Sequence, residues 1–225
     1  MLPSSTVENY LKSIYVAQLG LDDDQELVPM GQLASSLDVT PGTATTMVKA
    51  LSESGLVDYA PYAGVRLTDA GAKLAALVLR RHRLIELFLV QMMGMSWTEV
   101  HDEAENLEHA VSDRLIERID ELLGRPSVDP HGDPIPDSMG TMSRYHYQNL
   151  LTCPLQKPMN VTRVIDQDVK FLQFLEAQNL KPGQSIRVET RDAIADSVTV
   201  INAEDRQITL GTAAASKLLV EPKRP

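Results

Sequence analysis

Residues 40–67 read TPGTATTMVKALSESGLVDYAPYAGVRL, and the order of signals in them decides the fold. Thr40 is placed to cap a helix whose first position is Pro41, where a missing N–H costs nothing. Gly55 ends that helix. Val57–Pro61 and Gly64–Leu67 then alternate as two short strands around a Tyr62-Ala63-Gly64 turn. Upstream, Asp38 and Val39 make a tight turn after a helix over 30–37 that keeps Leu33, Ala34 and Leu37 on one face. Further upstream, Ser5-Thr6-Val7-Glu8 reads as a capping box, with Ser5 as N-cap and Glu8 at the third helical position. The helix it opens runs through Leu11, Ile14, Tyr15 and Leu19 to Gly20, and Asp22–Glu26 follows as an acidic loop.

Helix, helix, tight turn, helix and hairpin is the order of a winged helix-turn-helix. The helix after the turn is then the DNA reader. Its leading residues Thr40, Pro41, Gly42, Thr43, Thr45 and Thr46 are small or hydroxylated, suited to phosphates and thymine methyl groups. Lys49 adds a cation on the same helix. The competing explanation is a plain three-helix core with exposed threonines.

Thr68 caps a long helix that reaches about Met93, and Gly94-Met95-Ser96 is a turn. The next segment, VHDEAENLEHAV over 100–111, has no Gly or Pro and reads as a helix. At about 100° per residue, His101, Glu105, Glu108 and His109 share an arc of roughly 100°. A solvated charge run would explain the glutamates alone. Two of the chain's five histidines on the same face make it a candidate first shell for a transition metal. Ser112–Leu123 is another amphipathic helix, stopped by Gly124-Arg125-Pro126. Phe88, Leu89, Met92, Met93 and Met95 form a soft apolar surface, either core or the dimer interface that a symmetric DNA reader needs.

Asp129–Pro136 is a loop by its Pro and Gly content. Short strands begin near Met159: 160–166, 185–190, 197–202 and 207–211, interrupted by one helix over 169–178. The predicted fold is mainly α with a small β domain. It comprises a winged helix-turn-helix domain (1–72), a helical dimerisation and metal-binding domain (73–140), a tether (141–158) and an SH3-like β-barrel (159–225).

Composition narrows the function. The chain has 225 residues, with no apolar run of about 18 residues and no secretory leader pattern. A cytoplasmic protein without membrane contact is expected. The single Cys153 excludes an internal disulfide and a Cys-rich zinc site. The net charge of −10 argues against non-specific nucleic-acid affinity. Residues 1–70 hold three basic side chains (Lys12, Lys49, Arg66) against nine acidic ones, a net −6. Modest DNA affinity and reliance on dimers follow. A metallohydrolase would need an open coordination position and a general base. The sequence has no HExxH and no nucleophile beside the cluster, so no enzyme is expected. A metal-independent winged-helix regulator with a pocket among Met92, Met93 and Trp97 is the remaining alternative.

The segments ENYLKSIY (8–15), LVDYAPYAGVRLTDAGAKLA (56–75), RRHRLIELFL (80–89), VHDEAENLEH (100–109) and DPHGDPIP (129–136) resemble the diphtheria-toxin-repressor family of metal-activated transcriptional regulators. The resemblance covers nearly the whole chain, and the terminal barrel is similar to the third, FeoA-like domain of the longer members. It implies a repressor of metal-uptake genes acting as a homodimer on palindromic operator DNA, with one or two dimers per operator and two metal sites per chain. The first site would use His82, Glu86 and His101, with a further ligand from the barrel near Asp166, Gln167 or Asp168. The second would use Glu105, Glu108 and His109, plus the first-helix position held here by Asn9. Iron-responsive members carry cysteine where this chain has Glu105, and manganese-responsive members carry an acid. Oxygen and imidazole donors suit Mn²⁺, so Mn²⁺ is expected, with Fe²⁺ as the alternative. Two positions depart from the family pattern. Asn9 stands where a methionine or aspartate ligand is usual, and Lys12 where manganese-type members carry an acid. The second site is then weakened, altered in metal preference, or completed by water.

Overall fold

A computed structural model of the chain describes residues 4–21, 25–143 and 146–223; most of the acidic loop at Asp22–Glu26 falls outside them. The chain divides into two compact units. The first comprises Met1–His82, Glu108–Val111 and Pro136–Met142, and the second Arg83–Leu107, Ser112–Ile135 and Ser143–Pro225.

In the first unit the elements are α1 (Ser5–Leu19), α2 (Met30–Ser36), α3 (Pro41–Glu53), β1 (Val57–Ala60), β2 (Gly64–Leu67) and the N-terminal half of α4 (Asp69–Met93). This is the expected winged helix-turn-helix. Tyr10, Leu11, Ile14, Leu33, Ala34, Ala44, Val48 and Leu51 from the helices and Val28, Val57 and Val65 from the wing share one core. The Thr40 side chain caps α3 by accepting from Thr43 N (3.2 Å). Asp38, in the turn between α2 and α3, has φ 51°, a left-handed conformation that aspartate tolerates better than most residues. The wing is wider than its two strands, because Val28 pairs with Val65 through both backbone bonds (2.8 and 3.0 Å). Gly64 sits at that junction with φ 149°, and a Cβ there would lie 2.5 Å from Val28 O.

The start of α1 differs from expectation. Ser4, not Ser5, is the N-cap, and its side chain accepts from Val7 N. Glu8 therefore lies one position beyond the capping box. Its carboxylate is free of capping duty and is buried.

The second unit holds the rest of α4, α5 (Val100–Leu107), α6 (Asp113–Leu122) and a six-stranded antiparallel sheet. The sheet strands are β3 (Gln148–Asn149), β4 (Pro158–Val164), β5 (Ser185–Asp192), β6 (Ser197–Ile201), β7 (Gln207–Gly211) and β8 (Leu218–Pro222), in spatial order β3-β8-β4-β5-β6-β7. Register shifts between Val161 and Arg163 and between Val188 and Thr190 bend it, as bulges do. Helices α7 (Val169–Ala177) and α8 (Thr212–Ala215) complete the small β domain.

Three local expectations give way. Helix α5 stops at Leu107, and Glu108–Ala110 form a turn. Ser112 must be extended (ψ 151°) to cap α6, so the chain leaves the helix before it. The 141–158 tether is shorter than expected: β3 pairs with β8, and Leu150 and Cys153 are buried in the β-domain core. Strand β8, whose LLVEP run carries no turn signal at its start, and the short α8 were not anticipated. Trp97, read as a candidate pocket residue, is buried in that same core.

Gly64→Ala should cost more than about 1 kcal/mol, because it imposes both a disfavoured φ and a backbone clash. Urea unfolding should show a lower midpoint with an unchanged slope. An unchanged midpoint would mean that the wing does not pack on Val28.

Candidate metal centre

In the second unit, Glu86 of α4 is buried, and Asp129 and His131 reach it from the loop after α6. One oxygen or nitrogen from each lies within 4.8 Å of the others. The loop is built to hold them. Asp129 Oδ1 accepts from His131 N (2.8 Å) and Asp133 N (2.9 Å). Gly132, at φ 85°, lets the loop press on β4, where a Cβ would lie 1.8 Å from Thr162 O. His131 O accepts from Val164 N (2.9 Å).

The imidazole of His131 lies 2.9 Å, through Nε2, from the carbonyl oxygen of Trp97. A carbonyl can only accept, so Nε2 carries the proton. In the neutral ring the lone pair is then on Nδ1, which points at Glu86 Oε2 (3.8 Å). Fixing one ring nitrogen on a backbone carbonyl so that the other is presented to a cation is how metal-binding histidines are oriented. Nδ1 of His131 and Oδ2 of Asp129 are buried without a hydrogen bond. The other oxygen of Glu86 faces His101 Nδ1 (3.3 Å). His101 is half exposed and lies 3.9 Å from Glu105.

Charge makes the case for a cation. Glu86, Asp129 and Asp133 are all buried. Burial, then the neighbouring Asp133 and Glu86 carboxylates, push Asp129 well above the usual carboxylate range, and Arg83 only partly opposes this. Arg83 lies 3.6 Å from Asp129 and 3.8 Å from Asp133. Arg163 holds Asp133 at 2.5 Å. The buried Glu86, Asp129 and His131, with Asp129 Oδ2 and His131 Nδ1 lacking hydrogen bonds, could hold a divalent ion.

The sequence reading did not count Asp129 and His131 among its candidate ligands. Their segment was read as a Pro/Gly loop and as part of the family resemblance, with no ligand assigned to it. The available signal was the alternation of Asp129, His131 and Asp133 around one of only five histidines. Of the three barrel candidates, Gln167 reaches the neighbourhood, donating to Asp133 Oδ2 (2.9 Å). Asp166 is paired with Lys217 (2.5 Å), and Asp168 caps α7.

The first unit holds a second cluster, around Glu108. His82 and Glu86 sit one turn apart on α4, as expected, but His82 Nδ1 lies 2.7 Å from Glu108 Oε2. Lys12 Nζ lies 2.6 Å from Glu108 Oε1. Burial alone would raise the Glu108 pKa. The His82 hydrogen bond and the Lys12 ammonium outweigh it, and the carboxyl sits below its ordinary value. His109 is held at 2.6 Å through both ring nitrogens, Nδ1 by Glu8 Oε2 and Nε2 by Asn9 Oδ1. Arg81 completes the cluster, 3.4 Å from Glu8. Glu8 is a residue that sequence reasoning set aside, because the capping box seemed to account for it.

On the reader helix, Thr40, Pro41, Gly42, Thr43, Thr46 and Lys49 are exposed and Thr45 is half-buried. Thr45 and Thr46 donate to Pro41 O (2.7 Å) and Gly42 O (3.0 Å), which leaves their hydroxyl lone pairs outward. The basic residues are sparse. Arg66 is paired with Asp58 (3.1 Å) and Glu26 (3.2 Å), and Lys12 is buried.

Three family profiles match in sequence. They are the iron-dependent repressor N-terminal DNA-binding domain over residues 3–65, the iron-dependent repressor metal-binding and dimerisation domain over 68–137, and the FeoA domain over 148–222. The iron-dependent repressor IdeR of Mycobacterium tuberculosis is 29% identical over 228 residues, covering 96% of each chain. An HTH-type transcriptional regulator of Methanocaldococcus jannaschii is 36% identical over 116 residues, 52% of this chain and 90% of that one. A solved manganese-dependent transcriptional repressor in complex with manganese superposes with a TM-score of 0.86 at 39% identity, over 96% of this chain and 100% of that one.

Asp129→Asn keeps an acceptor for the loop N–H groups but deletes one buried charge. A carboxylate whose pKa is raised by folding costs stability at neutral pH, so the metal-free variant should melt at a higher temperature than wild type. Its affinity for Mn²⁺ should fall by more than about tenfold, and the Mn²⁺-induced rise in Tm should shrink accordingly. Equal Mn²⁺-induced shifts in the two proteins would remove Asp129 from the site.

Proposed function

The chain belongs to the diphtheria toxin repressor family of metal-dependent transcriptional regulators, and from that premise we propose that it is a Mn²⁺-activated, non-catalytic repressor of metal-uptake genes. It acts in the cytoplasm as a homodimer on operator DNA, with one or two dimers per operator. The buried Glu86–Asp129–His131 cluster carries this reading. Its donors are carboxylate oxygens and imidazole, a set that suits Mn²⁺ and lacks the thiolate that selects softer ions. The manganese-dependent relative supports the same choice. The iron-dependent relative keeps Fe²⁺ as the second reading.

A divalent ion held there would add positive charge beside Asp129, whose buried Oδ2 makes no hydrogen bond and which Arg83 approaches only to 3.6 Å. The residues themselves do the transmitting. Glu86 offers one oxygen toward His101 and the other toward His131, so α4, α5 and the loop meet on one carboxylate. Asp133 ties the loop to the β domain through Arg163 and Gln167. Met92, Met93, Leu115 and Leu122 are exposed in the second unit and offer apolar area for a homodimer to cover.

On the DNA side, the exposed start of α3 supplies hydroxyls and backbone N–H groups rather than charge. With Arg66 paired and Lys12 buried, electrostatic attraction contributes little. Affinity therefore depends on two readers being held in register, which metal can control.

Fluorescence anisotropy on duplex DNA selected for binding in the presence of Mn²⁺ tests the proposal. Mn²⁺ should tighten binding by at least about fivefold, and the DNA should tighten Mn²⁺ binding by the same factor. Fe²⁺ under anaerobic conditions should activate less well than Mn²⁺; the reverse order would favour the iron reading. Equal affinity in Mn²⁺ and in EDTA would refute metal activation.

A further inference from the structure

The two clusters share residue types but differ in how their carboxylates are engaged. Beside Glu86, His131 Nδ1 and Asp129 Oδ2 are buried without a hydrogen bond. Around Glu108, each buried carboxylate already has a permanent cation: Lys12 on Glu108 at 2.6 Å and Arg81 on Glu8 at 3.4 Å. We propose that the Lys12 ammonium takes the place of a divalent ion in the Glu108 cluster. The link between α1 and the 108–111 segment is then a built-in ion pair, and the chain answers metal through the Glu86–Asp129–His131 cluster alone. This rests on the reading of the chain as metal-responsive.

Three features support it. The first is position. Lys12 Nζ sits on Glu108 Oε1, the same oxygen that lies 3.3 Å from His109 Nε2, and the other oxygen is engaged by His82. Neither oxygen of Glu108 is left open. The second is the donor set. Asn9 brings no charge, and its Oδ1 is already on His109 at 2.6 Å. The remaining nitrogen of His109 is on Glu8 at the same distance. A metal would have to displace every one of these contacts. The third is net charge. Lys12 already faces Glu108 and Arg81 already faces Glu8, and an incoming ion would be repelled by both cations at short range. The lysine is itself buried, so it cannot swing into solvent to make room without exposing Glu108 as an uncompensated buried charge.

The consequence is functional. Helix α1, which packs in the core of the DNA-reading unit, is fastened to the 108–111 segment whether or not metal is present. The metal response should then follow single-site binding per chain.

The test counts ions in the full-length chain. After equilibrium dialysis against Mn²⁺, wild type should hold one ion per chain by elemental analysis. His131→Ala should hold none and His109→Ala should still hold one. Lys12→Gln combined with Asn9→Asp should hold two. In thermal melts, the metal-free double variant should unfold at a lower temperature than wild type and recover in Mn²⁺, because the ion then supplies the missing charge. Lys12→Arg, which keeps the cation, should stay at one ion. Two ions in wild type with one lost in His109→Ala would overturn the proposal, as would a double variant that folds but stays at one ion. Failure of the metal-responsive reading looks different: no ion in wild type and DNA binding indifferent to Mn²⁺, with the Lys12→Gln, Asn9→Asp protein still deciding whether Lys12 blocks a site.

Discussion

A carboxylate taken out of water must be given a positive charge or be protonated, and the functional parts of this chain are arranged around that constraint. Glu86 and Glu108 are each almost completely buried, one in each compact unit. Glu108 has a lysine of its own chain and sits below its ordinary pKa. Asp129, beside Glu86, sits well above its own, because burial and two neighbouring acids outweigh Arg83. The first arrangement is closed. On the proposed reading the second is open to a cation from solution, and this difference would make part of the protein permanent and part conditional.

The wing and reader helix show the same economy of charge. Residues 1–70 are acidic on balance, and two of their three basic side chains are paired within the chain, Arg66 at the surface with Asp58 and Glu26 and Lys12 in the interior with Glu108. Sequence-independent attraction to phosphate is correspondingly weak, which suits a regulator that should leave DNA when metal is absent. The exposed threonines of α3 can make directional contacts, but only when the helix is presented correctly.

Much of the fold was legible in the sequence because its signals are local. Thr40 with Pro41 and Ser112 mark helix starts that the structure keeps, and the hairpin around Tyr62-Ala63-Gly64 follows from alternation and turn chemistry. The errors arise where a long-range contact overrides a local pattern. Ser5-Thr6-Val7-Glu8 has the spacing of a capping box, yet Ser4 does the capping and Glu8 is drawn to Arg81 and His109. The 100–111 segment has helical composition throughout, yet its last residues leave the helix so that Ser112 can cap α6 and Glu108 can meet Lys12. The candidate cluster around Glu86 was legible only in part. Glu86 and His101 follow from the family resemblance and are adjacent in the structure. Asp129 and His131 depend on a loop whose shape is set by Gly132 against β4, some thirty residues further along, and no periodicity in the loop announces it.

Anomalous diffraction at the manganese edge from crystals grown with Mn²⁺ tests this account most directly, because it locates ions without reference to activity. The account predicts one strong peak per chain, bounded by Glu86, Asp129 and His131, with Lys12 still seated on Glu108. A peak among Glu8, Glu108 and His109, or the absence of one beside His131, would contradict it.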